Sequence, residues 1–322
     1  MLIRTLFSTI VFLFLGNQLF AQGHYNGGSF NPNDYFTPPP GFIVPAYYSF
    51  ANLNYYNSEG NRSDNLINPV PGNPTSLSLK QNVKTNSFIG MLIFGAKSKI
   101  LGANWGMMVI PTVNNPSANI VLDYFTSQGG SGSTSFKNDS WGLGDLYIQP
   151  LWLTWTKPKV TYSLAYGLWA PVGKYSFGDT KNVGLGYWSH NIRVAARVKP
   201  DPQWSVVTAA TLEVNSMQKG ADFKEAPHLT FDYGFSYSFL KAHELGLFGF
   251  YSSQLGNDEG SQGSFLSDRL FGIGGYGSYW IKPGKLSVLG RFTQHFGARN
   301  RFAGSAFQVG LNILFLDVSN TK

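Results

Sequence analysis

The sequence contains no cysteine among its 322 residues. This absence excludes disulfide bonds, thiolate metal sites, a cysteine nucleophile and a lipid-modified N-terminal cysteine. Charged residues are also scarce, at 13%, which is about half of their usual share in soluble proteins. The net charge of +7 comes from scattered cations without the basic runs that mark nucleic-acid-binding tails. We therefore expect no nucleic-acid partner.

Long apolar runs are missing beyond the N-terminus. Arg4 precedes an apolar run from Leu6 to Leu15, and Ala21 precedes Gln22, which together predict a cleavable secretory signal peptide over residues 1–21. The run is shorter than the ~20 residues that a membrane-spanning helix needs. We expect no membrane helix in the exported protein, so any membrane crossing must use strands.

Aromatic residues and glycine are abundant. Aromatics make up 16% of the chain and there are 37 glycines, while the mean hydropathy is only −0.10. This combination is typical of strands that alternate between two different solvents, as in a transmembrane β-barrel.

Strict period-two alternation is clearest over residues 229–239. Large apolar residues alternate with small polar ones for eleven positions, a pattern of strand rather than helix. Strands of soluble proteins usually have about five or six residues, whereas a barrel strand that spans a membrane needs about 9–11. The segment therefore predicts a membrane-spanning strand.

The same alternation recurs along the chain. Clear copies occupy residues 160–170, 203–214, 286–296 and 307–315, and weaker ones occupy 42–54, 87–97, 103–113, 143–156, 182–198, 244–254 and 269–281. These segments predict about twelve strands, and ten or fourteen strands are the alternatives. Within segment 182–198 the apolar positions move from odd-numbered to even-numbered residues. This shift predicts a β-bulge near Ser189.

Short and long connections alternate between these strands. Tight turns are predicted at 157–159, 200–202 and 282–285, and long polar loops at 55–86, 114–140, 172–182, 215–227 and 255–268. We predict an all-β protein whose residues 41–316 form an antiparallel up-and-down transmembrane β-barrel in an outer membrane. Residues 22–40 would form an irregular periplasmic tail or a plug in the lumen, and 317–322 a C-terminal tail. A secreted soluble β-sandwich is the alternative fold.

An outer-membrane barrel implies particular partners. We expect contacts with outer-membrane lipid and lipopolysaccharide, whose phosphates would attract the scattered cations. The barrel-assembly machinery is expected to insert the protein.

Six polar residues lie at the alternate strand positions whose side chains are predicted to face the lumen. They would either pair with each other to fill a narrow barrel or line a selective pore, and the first interpretation is favoured. Three further residues, at predicted strand ends, would pair across neighbouring strands or bind a ligand. The lumen candidates are Arg193, Arg197, Glu213, Asp232, Arg291 and His295, and the strand-end candidates are Asp145, Arg299 and Arg301.

Enzyme and cofactor motifs are weak. Residues 272–277 match a dinucleotide fingerprint, but a strand continues after them where a helix is required. Ser189 and His190 are adjacent in a predicted strand and face opposite sides, so they cannot form a catalytic pair. The five histidines have no metal-site spacing. We predict no cofactor, no metal and no enzymatic activity.

Several segments together resemble the outer-membrane family named for the meta-pathway of phenol degradation. The resemblance covers roughly residues 23–316. It implies an outer-membrane barrel that helps the uptake of aromatic or other hydrophobic compounds, and it carries over no catalytic residues. The matching segments are GHYNGGSF (23–30), PPPGF (38–42), GLGDLYIQPLWLTW (142–155), APVGKY (170–175), NVGLGYWSHN (182–191), DRLFGIG (268–274) and FGARNR (296–301).

Three functions remain open at this point. The leading hypothesis is a passive channel for small hydrophobic or aromatic molecules. A barrel without transport function, such as a structural protein, receptor or adhesin, is the second. An outer-membrane lipid hydrolase with a serine and a histidine from different strands is the third.

Overall fold

The computed structural model describes residues 23–67, 75–126, 130–179, 181–240, 243–261, 263 and 266–316. The predicted signal peptide and C-terminal tail lie outside these residues. No helix among the described residues is long and apolar enough to cross a membrane. The described elements are one short 3-10 helix, Pro32–Tyr35, and seventeen strand segments: β1 Gly41–Tyr56, β2 Ser63–Ile67, β3 Thr75–Gly90, β4 Leu92–Ile100, β5 Ala103–Ile110, β6 Thr112–Thr126, β7 Ser131–Asp139, β8 Gly142–Leu143, β9 Leu146–Thr156, β10 Val160–Ala170, β11 Ser189–Val198, β12 Trp204–Asn215, β13 His228–Phe239, β14 His243–Gln254, β15 Arg269–Lys282, β16 Leu286–Arg299 and β17 Arg301–Leu316.

These segments build twelve barrel strands. Short interruptions divide three of the twelve, which are β3–β4, β5–β6 and β7–β8–β9, while β2 only extends the edge of β3. Every neighbouring pair is antiparallel, and β1 pairs with β17 over its whole length to close the ring. The predicted up-and-down barrel of about twelve strands is confirmed.

Burial alternates along the strands as the sequence predicts. In β12 and β13 the positions that carry mostly polar side chains are buried inside the barrel. The alternate positions, which carry mostly apolar side chains, are exposed on the outside. Because β-strand side chains point alternately to opposite faces, the outer surface carries an apolar band suited to lipid. Members of this band include Phe231, Phe235, Leu247, Ile273, Phe292, Phe307 and Leu311.

The three predicted tight turns lie where expected. They join β9 to β10, β11 to β12 and β15 to β16 at one end of the barrel, which we call the short-turn end. The opposite end is the long-loop end. In outer-membrane barrels these ends face the periplasm and the exterior, respectively.

Two of the predicted long loops are shorter in the structure than predicted. Much of 55–86 and 114–140 is strand, because β3 pairs with β6 from Thr75 to Ile89 and β6 pairs with β7 from Ser117 to Phe125. The polar composition suggested loops, but backbone pairing does not require apolar side chains. Buried Ile120 and Leu122 keep the period of two that fixes the register.

The predicted strand 182–198 was also too long. β11 begins at Ser189, so the change of phase marks the start of the strand and not a bulge within it. Gly186 has φ +75°, a left-handed conformation that ends extended structure. The N–H of Leu185 donates to Asp145 Oδ2 (2.7 Å), which holds the preceding residues as a loop.

The closing seam between β1 and β17 is tightly packed at Gly304. A Cβ added there would lie 2.0 Å from the carbonyl oxygen of Asn52, whereas one added at Gly290 in β16 meets nothing within 4 Å. We expect Gly304→Ala to destabilise the barrel by ~1–3 kcal/mol through backbone displacement. Gly290→Ala should leave stability nearly unchanged. The unfolding temperature, read from heat-dependent gel mobility, measures both, and equal stabilities would contradict the packing argument.

Candidate functional site

Residues 23–37 lie inside the barrel and make hydrogen bonds to its inner wall. The backbone N–H of Tyr25 donates to Glu213 Oε2 (2.8 Å), and that of Gly28 donates to Asp232 Oδ1 (2.7 Å). The Tyr25 hydroxyl donates to Asp232 Oδ2 (2.9 Å). Near the short-turn end, the N–H of Thr37 donates to the Thr154 hydroxyl (3.0 Å). We call residues 23–40 the lumen segment.

The close approach of this segment to the wall depends on two glycines. A Cβ on Gly27 would lie 2.2 Å from the ring of Phe250, and one on Gly28 would lie 2.9 Å from it. Gly28 also has φ +69°, which other residues rarely adopt. The local sequence therefore permits the chain to turn against an aromatic wall.

The four most buried lumen candidates are Arg193, Glu213, Asp232 and Arg291, each at most 5% exposed. No ion pair within 4 Å joins any two of them in the described part of the chain, so the expected mutual network is not what holds them. The two carboxylates instead accept hydrogen bonds from the lumen segment. Burying a charge without such partners is costly.

The arginines contact the same segment through rings and carbonyls. Arg193 lies over the rings of Phe30 (4.9 Å) and Tyr35 (5.1 Å), and it donates to Gln149 Oε1 (2.7 Å). Arg291 donates to the carbonyl oxygen of Phe30 (3.1 Å). Cation–π contacts of this kind strengthen when they are desolvated.

The last two lumen candidates are less buried. Arg197 lies 4.4 Å from the ring centroid of Phe36 and contacts Asn33 Oδ1 at 3.4 Å. His295 packs edge-on against Phe250, with ring centroids 5.6 Å apart. Its Nδ1 is buried without a hydrogen-bond partner.

The strand-end candidates have three different environments. Asp145 is buried and accepts from His24 Nε2 (2.8 Å) and from the N–H groups of Gly173 (2.9 Å) and Leu185. Arg301, in β17, pairs with Asp268 (3.2 Å) in the connection that precedes β15, two strands away. Arg299, at the end of β16, is exposed.

Ser189, His24 and Asp145 form a line that resembles a hydrolase triad. His24 Nδ1 lies 2.6 Å from Ser189 Oγ, and Nε2 lies 2.8 Å from Asp145 Oδ2. However, Ser189 is fully buried, and its hydroxyl also bonds to Asn215 Oδ1 (2.6 Å). A nucleophilic serine must reach a substrate carbonyl, and this buried serine instead helps to anchor the lumen segment through His24.

Beside the lumen segment the barrel holds two cavities. One of about 660 Å³ opens along the short-turn half, and one of about 530 Å³ opens along the long-loop half. Both are lined by Ser29, Phe30, Met91 and Gln308. The two cavities therefore adjoin beside Phe30.

The wall of the long-loop cavity is largely apolar. Trp169 stacks on His24 (5.2 Å between ring centroids) and packs on Tyr147 (4.8 Å). A cavity of this size falls within the ~300–1,000 Å³ typical of small-molecule sites. Other apolar lining residues are Leu53, Val83, Ile89, Met91, Ile110 and Phe302.

Sequence reasoning missed His24, Tyr25, Phe30 and Tyr35. They lie in an irregular segment without periodicity, so no pattern indicated which side chains would meet the wall. The pair Gly27-Gly28 and the aromatic residues spaced five apart at Tyr25, Phe30 and Tyr35 were the available signal.

The fold is that of an outer-membrane β-barrel, and comparison with known proteins agrees. The crystal structure of the COG4313 outer membrane channel from Pseudomonas putida F1 is similar, with TM-score 0.65, 14% identity, and coverage of 89% of this chain and 100% of that chain. Residues 119–311 match the family described as "Putative MetA-pathway of phenol degradation". The chain belongs to this family.

Other solved barrels align over most of the chain with lower scores. A KdgM porin gives a TM-score of 0.39 at 11% identity and covers 84% of this chain and 99% of its own. A Pseudomonas aeruginosa FadL homologue gives a TM-score of 0.41 at 12% identity. The alignment covers 93% of this chain and 98% of the homologue. No curated protein matches the sequence significantly.

The anchoring role of Asp145 is testable by amide hydrogen exchange. Asp145→Ala removes the acceptor of His24, Gly173 and Leu185, so we expect exchange in residues 23–30 and 171–188 to accelerate about tenfold or more. The control Asp201→Ala alters an exposed carboxylate at the short-turn end, outside both measured segments, that accepts from the N–H groups of Gln203 and Trp204. Unchanged exchange in the Asp145 variant would show that the lumen segment is held by other contacts.

Proposed function

We propose that the protein is a passive outer-membrane channel for small hydrophobic compounds, including aromatic ones. The observation that carries this proposal is the pair of adjoining cavities, which meet at Phe30 and together extend along the lumen. The family's description and the channel fold of the Pseudomonas putida protein support the same proposal.

The two sides of the lumen differ in chemistry. Charged residues of β11, β12, β13 and β16 are engaged by the lumen segment, while β1, β3, β5 and β10 present apolar side chains to the long-loop cavity. A hydrophobic solute in this cavity would avoid the desolvation penalty of buried charges. The short-turn cavity is more polar, with Arg197 and Glu244 in its lining.

The cellular setting is part of the same proposal. The apolar outer band would contact lipid, and lipopolysaccharide would surround the long-loop end. Export by the predicted signal peptide and insertion by the barrel-assembly machinery remain predictions. A barrel without transport function is the competing role, and it predicts a lumen that no solute crosses.

Phe30 is the residue to change, because it borders both cavities. We expect Phe30→Ala to raise single-channel conductance in planar bilayers roughly twofold or more, since apolar constrictions limit the passage of water and ions. Uptake of toluene into cells that express the protein should also exceed that of cells without it. Phe307→Ala, on the exposed outer face of β17, is the matched control.

One result would count against the channel, and another would count against the role given to Phe30. One is a folded wild-type barrel with no toluene uptake, and the other is a Phe30→Ala conductance equal to that of Phe307→Ala. The first would favour the barrel without transport function. The second would place the narrow point elsewhere.

A further inference from the structure

Lysines are concentrated at the short-turn end of the barrel. Six of them lie in, or within two residues of, the connections that join β4 to β5, β9 to β10, β11 to β12 and β15 to β16. All six are exposed, and the same positions contain one acidic residue, Asp201. We call them the short-turn lysines, and they are Lys99, Lys157, Lys159, Lys199, Lys282 and Lys285.

No acidic group compensates these lysines among the described residues, since no carboxylate oxygen lies within 4 Å of any of the six ammonium groups. Asp201 accepts from the N–H groups of Gln203 (2.7 Å) and Trp204 (3.0 Å), so it stabilises its own turn. Glu244, near the start of β14, lines the lumen, where Asn33 Nδ2 donates to both of its oxygens. The outer rim of this end therefore carries an excess of positive charge.

The long-loop end differs, because its cations have acidic neighbours. Lys80 pairs with Asp123 (3.4 Å), and Lys224 pairs with Glu259 (2.8 Å). The sequence alone indicated scattered cations that would face lipopolysaccharide. The fold instead gathers six lysines at the end opposite to the one where lipopolysaccharide would lie. These lysines therefore call for a different anionic partner.

A row of aromatic rings on the outer face of β12 to β15 lies next to the short-turn lysines. Trp204 contacts Tyr237 (4.8 Å between ring centroids), and His243 stacks on Tyr279 (4.3 Å). Phe239 lies between these pairs, 6.4 Å from Tyr237 and 5.5 Å from His243. Aromatic girdles of this kind lie at the level of the lipid headgroups. The row therefore locates the membrane boundary at the short-turn end.

The lysines lie at the depth of the headgroup layer that begins at this row. Lys282 follows Tyr279 by three residues in β15, which is ~10 Å along a strand and ~8 Å along the membrane normal for a strand tilted by about 40°. The headgroup layer is ~5–8 Å thick on each side of a bilayer. Since a lysine side chain can extend back toward this layer, its ammonium group reaches the lipid phosphates.

Two exposed leucines favour lipid over other anionic partners. Leu101 and Leu240 are 84% and 79% exposed, the highest values among the large hydrophobic side chains of the described residues. Both follow directly on a strand that ends at the short-turn end, β4 and β13 respectively. Apolar side chains placed among cations are typical of surfaces that bind anionic membranes. Peptidoglycan offers carboxylates but no acyl chains for such leucines.

We propose that the short-turn lysines bind the phosphate groups of anionic phospholipids in the periplasmic leaflet of the outer membrane. Short turns of outer-membrane barrels face the periplasm, and each ammonium group offers three hydrogen-bond donors. A lysine near an anionic lipid surface strengthens association about fivefold. Bound lipids would fix the depth of the barrel in the membrane. The proposal does not depend on the transport role.

Lipid binding to the purified, refolded protein in neutral detergent tests the proposal. Native mass spectrometry follows titration with phosphatidylglycerol or with phosphatidylcholine of identical acyl chains. We expect the wild type to bind phosphatidylglycerol about tenfold more tightly or better at low salt. About 0.5 M NaCl should remove most of this preference, because salt screens exposed charges. A wild type without preference for phosphatidylglycerol would overturn the proposal, whether or not any variant folds.

A triple variant and a matched control locate the binding surface. Lys159→Gln, Lys282→Gln and Lys285→Gln combined should weaken phosphatidylglycerol binding about tenfold or more. The control combines Lys137→Gln, Lys181→Gln and Lys219→Gln, which remove the same charge from exposed positions of the long-loop end, and it should bind as the wild type does. Heat-dependent gel mobility confirms that each barrel is folded. Equal affinities of the two triple variants would overturn the proposal.

Two further measurements separate lipid from other anions. Glycerol phosphate, which lacks acyl chains, should not displace the lipid at equal concentration, and displacement would show that free phosphate suffices. Sedimentation with purified peptidoglycan should be equal for the wild type and the short-turn triple variant. Sedimentation that requires these lysines would overturn the lipid assignment in favour of peptidoglycan carboxylates. None of these results bears on conductance, so the channel proposal is tested separately.

Discussion

The lumen depends on one interaction above the others, which is the contact between the lumen segment and the charged inner wall. Glu213 and Asp232 are buried on the inner wall of the barrel, where an unpaired charge would be strongly unfavourable. Tyr25 and Gly28 supply the donors that these carboxylates need. The wall therefore carries charges because a segment of the same chain satisfies them, and the segment is ordered because the wall fixes it.

The same contact shapes the remaining space. In the long-loop half the segment lies against the charged side of the wall, so the free volume there is left on the apolar side, which β1, β3 and β5 line together with Trp169 and Tyr147. Phe30 extends from the segment between the two cavities and is held there by Arg193 and by the Arg291 bond to its carbonyl oxygen. A segment that satisfies buried charges thus also places Phe30 at the junction of the two cavities.

Period-two patterning predicted the strands and the inward side of each lumen candidate, because alternation is a local property of an extended chain. It did not reveal what those side chains touch. Glu213 and Asp232 meet Tyr25 across 188 and 207 residues of sequence, and the line of Ser189, His24 and Asp145 joins three distant segments. Such contacts follow from barrel closure and from the path of an aperiodic segment, which no local pattern contains. The long polar hairpins were misjudged for a related reason, since composition describes side chains while strand pairing uses the backbone.

The most direct test of a continuous passage uses the absence of cysteine in the native chain. Gln308 borders both cavities, so a single Gln308→Cys variant places one reactive thiol at their junction. Single-channel current is measured before and after modification with a bulky methanethiosulfonate reagent. The account predicts that modification reduces the current strongly. A current unchanged after modification that mass spectrometry shows to be complete would contradict it.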